Sequence, residues 1–201
     1  VTPAELPPTR WDLAPPSGYA ERFARLIAEG HDVTGEARLA DVLVGRGARI
    51  LDAGSGMGRI GAALQAGGHD VTAVEKDPSL VAESRRRYPD LPVVQSDLLA
   101  LADSLVEPGF DLVVLVGNVI VLLAPDTEQR LLVTLRDLLA PDGRILVGFH
   151  PNQAHTSARA YAFTDFAADV EASGLVVQHR FGTYELGEPS DDYVVAVLRR
   201  A

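Results

Sequence analysis

The stretch LDAGSGMGRIGAAL, residues 51 to 64, joins an aspartate to a run of glycines at what must be a strand-to-helix turn. Two spacings overlap in it. Taken from Gly54, it is Gly-x-Gly-x-Gly, with Ser55 inside and Asp52 ahead; taken from Gly56, it is Gly-x-Gly-x-x-Gly through Gly58 to Gly61, the spacing of a dinucleotide-binding turn. Under both, the backbone can approach a ligand closely and the following helix can present N–H groups to polar or anionic atoms. Glu75, at the end of HDVTAVE, could grip ribose hydroxyls under either spacing.

Asp52 separates the two. A carboxylate closing an apolar strand must be solvated or hydrogen-bonded, because isolated burial costs several kcal/mol. A pyrophosphate at this turn would be repelled by it, whereas a cationic amino-acid group would be attracted. Asp97, closing LPVVQSD, adds a carboxylate or neighbouring backbone groups able to hold an adenine amino group. Asn118, just after FDLVVLVG, adds an amide. His150 ends RILVGFH and is the candidate general base, since imidazole titrates near neutrality; a hydrogen-bonded loop histidine is the alternative.

These residues need a scaffold that ends several strands at one edge. From residue 48 onward, short apolar runs (ARILDA, HDVTAVE, LPVVQSD, FDLVVLVG, RILVGFH) alternate with segments of helical period or composition. That pattern predicts an α/β fold, a mostly parallel sheet with helices on both faces, whose ligands collect outside the carboxyl ends of the strands. LLVTLRDLLAPDG predicts a helix with apolar Leu131, Leu132, Leu135, Leu138 and Leu139, stopped by Pro141 and Gly143. GLVVQHRFGTYEL and DYVVAVLRR are joined by too short a link for a parallel crossover, so the last two strands pair antiparallel. Ahead of the sheet, the proline-rich start predicts an extended or mobile lead-in, followed by helices near residues 18–29 and 35–44. Residues 1–46 are thus expected to form a lead-in and helical lid, and 47–201 the core of a single domain.

Composition narrows the partners. A formal charge of −10 argues against a polyanion-binding surface, since RRR at 85 to 87 is the one basic cluster and suits a helix end. There are no cysteines, and the five histidines show no helical pair of metalloprotease type, so no metal site is expected. No run is long and apolar enough for a membrane span and no secretory leader is visible, which leads to an expected cytoplasmic location.

With these residues in view, the chain resembles the class I S-adenosylmethionine-dependent methyltransferases over roughly residues 35 to 200. LDAGSGMGRIG resembles motif I of that family, VEKDP its ribose motif, QSDLL its adenine motif and FDLVVLVGNVIVLL its fourth-strand motif. The resemblance implies a three-layer Rossmann-like fold with a seven-stranded sheet of order 3-2-1-4-5-7-6 and an antiparallel last strand. It implies S-adenosylmethionine as cofactor and S-adenosylhomocysteine as product. Gly54, Ser55, Gly56 and Gly58 would line the methionine and ribose portion, and Asp52 would act on the amino group. Glu75 would bind ribose, with Lys76 and Asp77 near the adenine rim; Ser96, Asp97 and Leu98 would frame adenine, and Gly117 and Asn118 would face the methionine end and the substrate.

GNVIVL lacks the Asn-Pro-Pro-aromatic signature of methyltransferases acting on nucleic-acid bases and some protein amides, so a small-molecule acceptor is expected and nucleic acid is not. Candidates for acceptor contact are Tyr19, Phe23, His31, Asn118, His150 and Tyr161, with Trp11, Arg22, Asn152 and His155 beside them. Two alternatives stand: a non-catalytic S-adenosylmethionine-binding protein, and an NAD-dependent oxidoreductase using Gly56, Gly58 and Gly61.

Overall fold

Along the central strands, successive residues enter opposite apolar layers. In β1 (Arg49–Ala53), Ile50 faces one layer and Leu51 and Ala53 the other. In β4 (Phe110–Leu115), Leu112 and Val114 share the first layer, Val113 and Leu115 the second. A strand apolar on both faces can only be central, with helices above and below it. The computed structural model describes residues 6–13, 18–103, 106–152 and 158–201.

The sheet has seven strands in the order β3-β2-β1-β4-β5-β7-β6, as expected. β2 (Asp70–Glu75) and β3 (Val93–Gln95) extend one side, and β5 (Leu139–Phe149), β7 (Val194–Arg200) and β6 (Leu175–Phe181) the other. β7 runs antiparallel to both β5 and β6.

Helices α1 (Arg10–Leu13), α2 (Tyr19–Ala28) and α3 (Gly35–Val42) precede the sheet. α4 (Arg59–Ala66), α5 (Pro78–Arg87), α6 (Glu128–Leu138) and α7 (Phe163–Ala172) are the connections. α3 sends Ala37, Leu39 and Ala40 into the same apolar layer as Ile60 and Leu64 of α4, while α6 and α7 cover the opposite layer. Among the described residues, no helix is long and apolar enough to cross a membrane.

Two expectations change. α6 stops at Leu138, and Leu139 is already extended and paired with Phe110, so Pro141 and Gly143 lie within an irregular register of β5 instead of a loop. A Cβ at Gly143 would stand 2.6 Å from the Phe110 carbonyl oxygen, which explains the glycine. Within the lead-in, residues 9–13 also depart from an extended segment. Thr9 and Asp12 form a reciprocal cap: the Asp12 N–H donates to Thr9 Oγ1 at 3.2 Å, and the Thr9 N–H donates to Asp12 Oδ2 at 2.8 Å. This Thr-x-x-Asp arrangement closes the short helix α1, and Arg10 fastens it by donating to the Leu123 carbonyl at 2.8 Å.

Candidate functional site

The glycine-rich turn leaves β1 at its carboxyl end, and each glycine has a separate reason to be there. The Gly61 N–H donates to Asp52 Oδ2 at 2.9 Å, and a Cβ on Gly61 would lie only 3.0 Å from that oxygen. Gly61 is therefore the position that admits the Asp52 carboxylate against α4, a packing role and not the third glycine of a dinucleotide turn. Gly54 has φ +77°, and its Cβ would meet Val119 at 2.7 Å. Gly58 was expected at the ligand; instead it faces α5, where a Cβ would overlap the Ser84 hydroxyl, and its φ is +84°. Gly58→Ala is therefore expected to cost about 2–4 kcal/mol of stability through left-handed strain and overpacking. Urea unfolding checks this, and a loss below about 1 kcal/mol would contradict it.

Ten of the expected cofactor residues line one cleft at the carboxyl edge of the sheet: Asp52, Gly54, Ser55, Gly56, Glu75, Lys76, Ser96, Asp97, Leu98 and Gly117. Its volume is about 840 Å³ counted to the open mouth. Asp52 is buried, and burial pushes its carboxyl up to about 7 against the opposing Gly61 hydrogen bond and Arg59. Glu75 is also raised, first by burial, although its oxygens accept the Asp77 N–H at 2.8 Å and the Gly56 N–H at 2.9 Å. The Ser55 hydroxyl is buried in this wall without a hydrogen-bond partner among the described residues. A polar ligand would satisfy it.

Asp77, Asn118 and His150, also expected at the site, are not among the residues that line the cleft. Asp77 caps α5, accepting from the Ser79 N–H at 2.8 Å. Asn118 has φ +74°, and its Oδ1 accepts the His150 N–H at 2.8 Å, so the amide braces the end of β5. His150 Nδ1 lies 2.8 Å from the Asp192 carbonyl, which can only accept, so the neutral form of the ring carries its hydrogen on Nδ1.

Asn152 Nδ2 donates to the Asp191 carbonyl at 3.0 Å. Phe23 stacks under the Arg59 guanidinium, 4.7 Å from the ring centre. His31 is on the surface, 3.4 Å from Glu29. Tyr161 corrects its expectation: it is fully buried against Phe149 and Phe166, and its hydroxyl donates to Asp169 at 2.5 Å, so it belongs to the core. His155 and the side chain of Tyr19 lie outside the described residues.

Two cleft residues, Arg59 and Thr9, were not among the expected site residues. Arg59, the first residue of α4, lines the cleft and pairs with Glu36 while donating to the Val33 carbonyl, tying α3 to the glycine turn. Thr9 and Trp11 line the opposite end, near Lys76 and Asp97. The signal for Thr9 was present as the Thr9-x-x-Asp12 cap. Trp11, a candidate for acceptor contact, lines this end of the cleft, and its Nε1 donates to Asp77 at 3.0 Å.

Residues 50–143 match a family model described as a methyltransferase domain. The fold is similar to a TehB-like S-adenosylmethionine-dependent methyltransferase from Corynebacterium glutamicum, with 36% identity, 92% of this chain and 97% of that chain covered, and a TM-score of 0.82. It is also similar to a 1,6-didemethyltoxoflavin N1-methyltransferase from Burkholderia thailandensis, with 23% identity, 94% and 91% coverage and a TM-score of 0.65. A third similar structure is an S-adenosylmethionine-dependent methyltransferase from Clostridium acetobutylicum, with 11% identity, 91% and 98% coverage and a TM-score of 0.72. No functionally curated protein matches the chain in sequence.

Proposed function

The chain belongs to the class I S-adenosylmethionine-dependent methyltransferases, and we propose that it methylates a small molecule, with His150 as general base. S-adenosylmethionine supplies an electrophilic methyl group on a sulfonium centre. The chain's own tasks are to bind, orient and exclude water, and to take a proton where the acceptor carries one.

The observation that carries the reading is the continuity of one cleft from Asp97 through Glu75 and Asp52 to Gly117. In this reading, Glu75 holds ribose hydroxyls with the second lone pairs of its oxygens, Asp97 and Leu98 frame adenine, and Ser55 and Gly54 contact the amino-acid portion. Asp52 faces the ammonium group, and Gly117 lies at the methyl end.

A small acceptor is supported by the acidic charge, −10 over the chain. Two proteins of similar fold are named for small-molecule acceptors, the toxoflavin precursor enzyme and a mitomycin 7-O-methyltransferase. The N-terminal helices contribute a cap in this reading, because the Arg59–Glu36 pair and the Phe23 ring hold them over the glycine turn. Labelled-methyl transfer to a broad metabolite panel, with nucleic acid and protein arms, is the test. Incorporation into polymer and into no metabolite would overturn the small-molecule reading.

His150 has a fixed tautomer with Nε2 as the basic nitrogen and a main chain held by Asn118. Once an acceptor is found, His150→Gln is expected to lower kcat by about 10²–10⁴ while the KM for S-adenosylmethionine stays within about twofold. A kcat within about threefold of the parent would remove His150 from the chemistry.

A further inference from the structure

Residues 9–13 are tied across the Glu75–Asp97 end of the cleft from both sides. On the β2 side, Lys76 Nζ lies between Asp12 Oδ2 at 2.5 Å and Asp97 Oδ2 at 3.1 Å, with Thr9 Oγ1 at 3.3 Å. Partial burial would lower the Lys76 ammonium, and its hydrogen bonds to Asp12 and Asp97 outweigh that and raise it, so this clasp stays charged. Next to it, the Trp11 Nε1–H donates to Asp77. On the β4 side, Arg10 donates to the Leu123 carbonyl and lies 3.6 Å from the buried Glu128 carboxylate. Between these ties, Thr9 and Trp11 face the cavity together with Leu80, Ser96, Asp97 and Leu122. A second cleft, lined by Trp11, Gly18, Glu21, Asp77 and Leu80, adjoins this one.

We propose that Thr9–Leu13 is the retaining wall of the adenosine subsite, with Trp11 in contact with the bound adenosine, and that this wall must swing aside before S-adenosylhomocysteine can leave. The proposal rests on the placement of adenosine at the Glu75–Asp97 end. The ties are of a kind that opens. The Asp12–Lys76 pair is partly exposed, and such pairs contribute little each, so this tie is a weak one. The indole supplies most of the contact area, since a tryptophan covers far more apolar surface than its neighbours here.

Trp11 is the chain's single tryptophan, so its emission reports on this wall alone. The 201-residue chain is titrated with S-adenosylhomocysteine while tryptophan emission is followed, with calorimetry in parallel. Dissociation of S-adenosylhomocysteine is then timed by surface plasmon resonance for the parent chain, Trp11→Ala, Asp12→Asn and Asp12→Glu. The expected results are a saturable emission change, dissociation about tenfold faster or more in Trp11→Ala, and about threefold to tenfold faster in Asp12→Asn. Asp12→Glu should restore the rate to within about twofold, and the ligand-free melting midpoints should stay within a few degrees of the parent. Dissociation unchanged in both Trp11→Ala and Asp12→Asn, with the emission change present, overturns the wall and leaves the adenosine placement standing. Binding that calorimetry detects and Trp11 emission does not overturns the placement, and the wall with it.

Discussion

Glu75→Ala is expected to weaken S-adenosylmethionine binding by about two to four orders of magnitude. Each Glu75 oxygen accepts one backbone N–H, from Gly56 and from Asp77, and each keeps a lone pair for a ribose hydroxyl. A hydrogen bond to a charged group contributes about 1.5–3 kcal/mol, so losing two of them gives this range. The same carboxylate holds the glycine turn against the start of α5, and the alanine variant also leaves two N–H groups without acceptors. Ligand-free stability should fall by about 1–3 kcal/mol, the larger loss being partly offset because a buried carboxylate no longer has to be desolvated. Glu75→Gln, which keeps acceptor and shape, should sit between the two in calorimetric titration. A dissociation constant within about tenfold of the parent in Glu75→Ala would take ribose binding away from this residue.

The strand-end residues were legible because position along an apolar run and position in the fold are the same information here. Asp52 and Glu75 lie on buried strands and Asp97 follows the edge strand β3, and a parallel sheet brings all such ends to one edge. The antiparallel last pair was legible for a similar reason, since the link between its strands is too short to cross over.

What stayed hidden depends on side-chain partners far away in the chain. Tyr161 follows the fifth strand, where an aromatic side chain often meets substrate, yet Asp169 on α7 and the rings of Phe149 and Phe166 draw it into the core. Gly58 has the spacing of a ligand-contacting glycine, but the neighbour that requires it to be glycine is Ser84 on α5. Arg59, the first residue of α4, gains its place in the site only from Glu36 and the Val33 carbonyl, both far off in the chain. Within the lead-in, α1 was not legible because proline density speaks of an unpaired backbone and says nothing about a Thr9–Asp12 cap or a lysine on a distant strand end. Periodicity reports which face of an element is buried, and it carries no information about which charged group will reach across to it.

Affinity for S-adenosylmethionine should rise steeply with pH up to about neutrality, and Asp52 is the reason. Burial holds its ligand-free carboxyl up to about 7, so below that pH the proton must leave before an ammonium group can pair with the carboxylate. Binding then releases a proton, and the dissociation constant should fall by close to tenfold for each pH unit between about 5 and 6.5, levelling above about 7.5. Stability of the ligand-free protein should move the other way. The folded value lies above the unfolded one of 3.8, so between them the folded state holds a proton that the unfolded state has lost. Stability from this residue is present at low pH and is lost as pH rises through that window. Asp52→Asn, which cannot ionise, should flatten both dependences while keeping an oxygen for the Gly61 N–H. Calorimetry in buffers of different ionisation enthalpy would measure the released proton directly. A dissociation constant that stays level from about pH 5.5 to 8 would show that Asp52 does not carry the contact with the amino group.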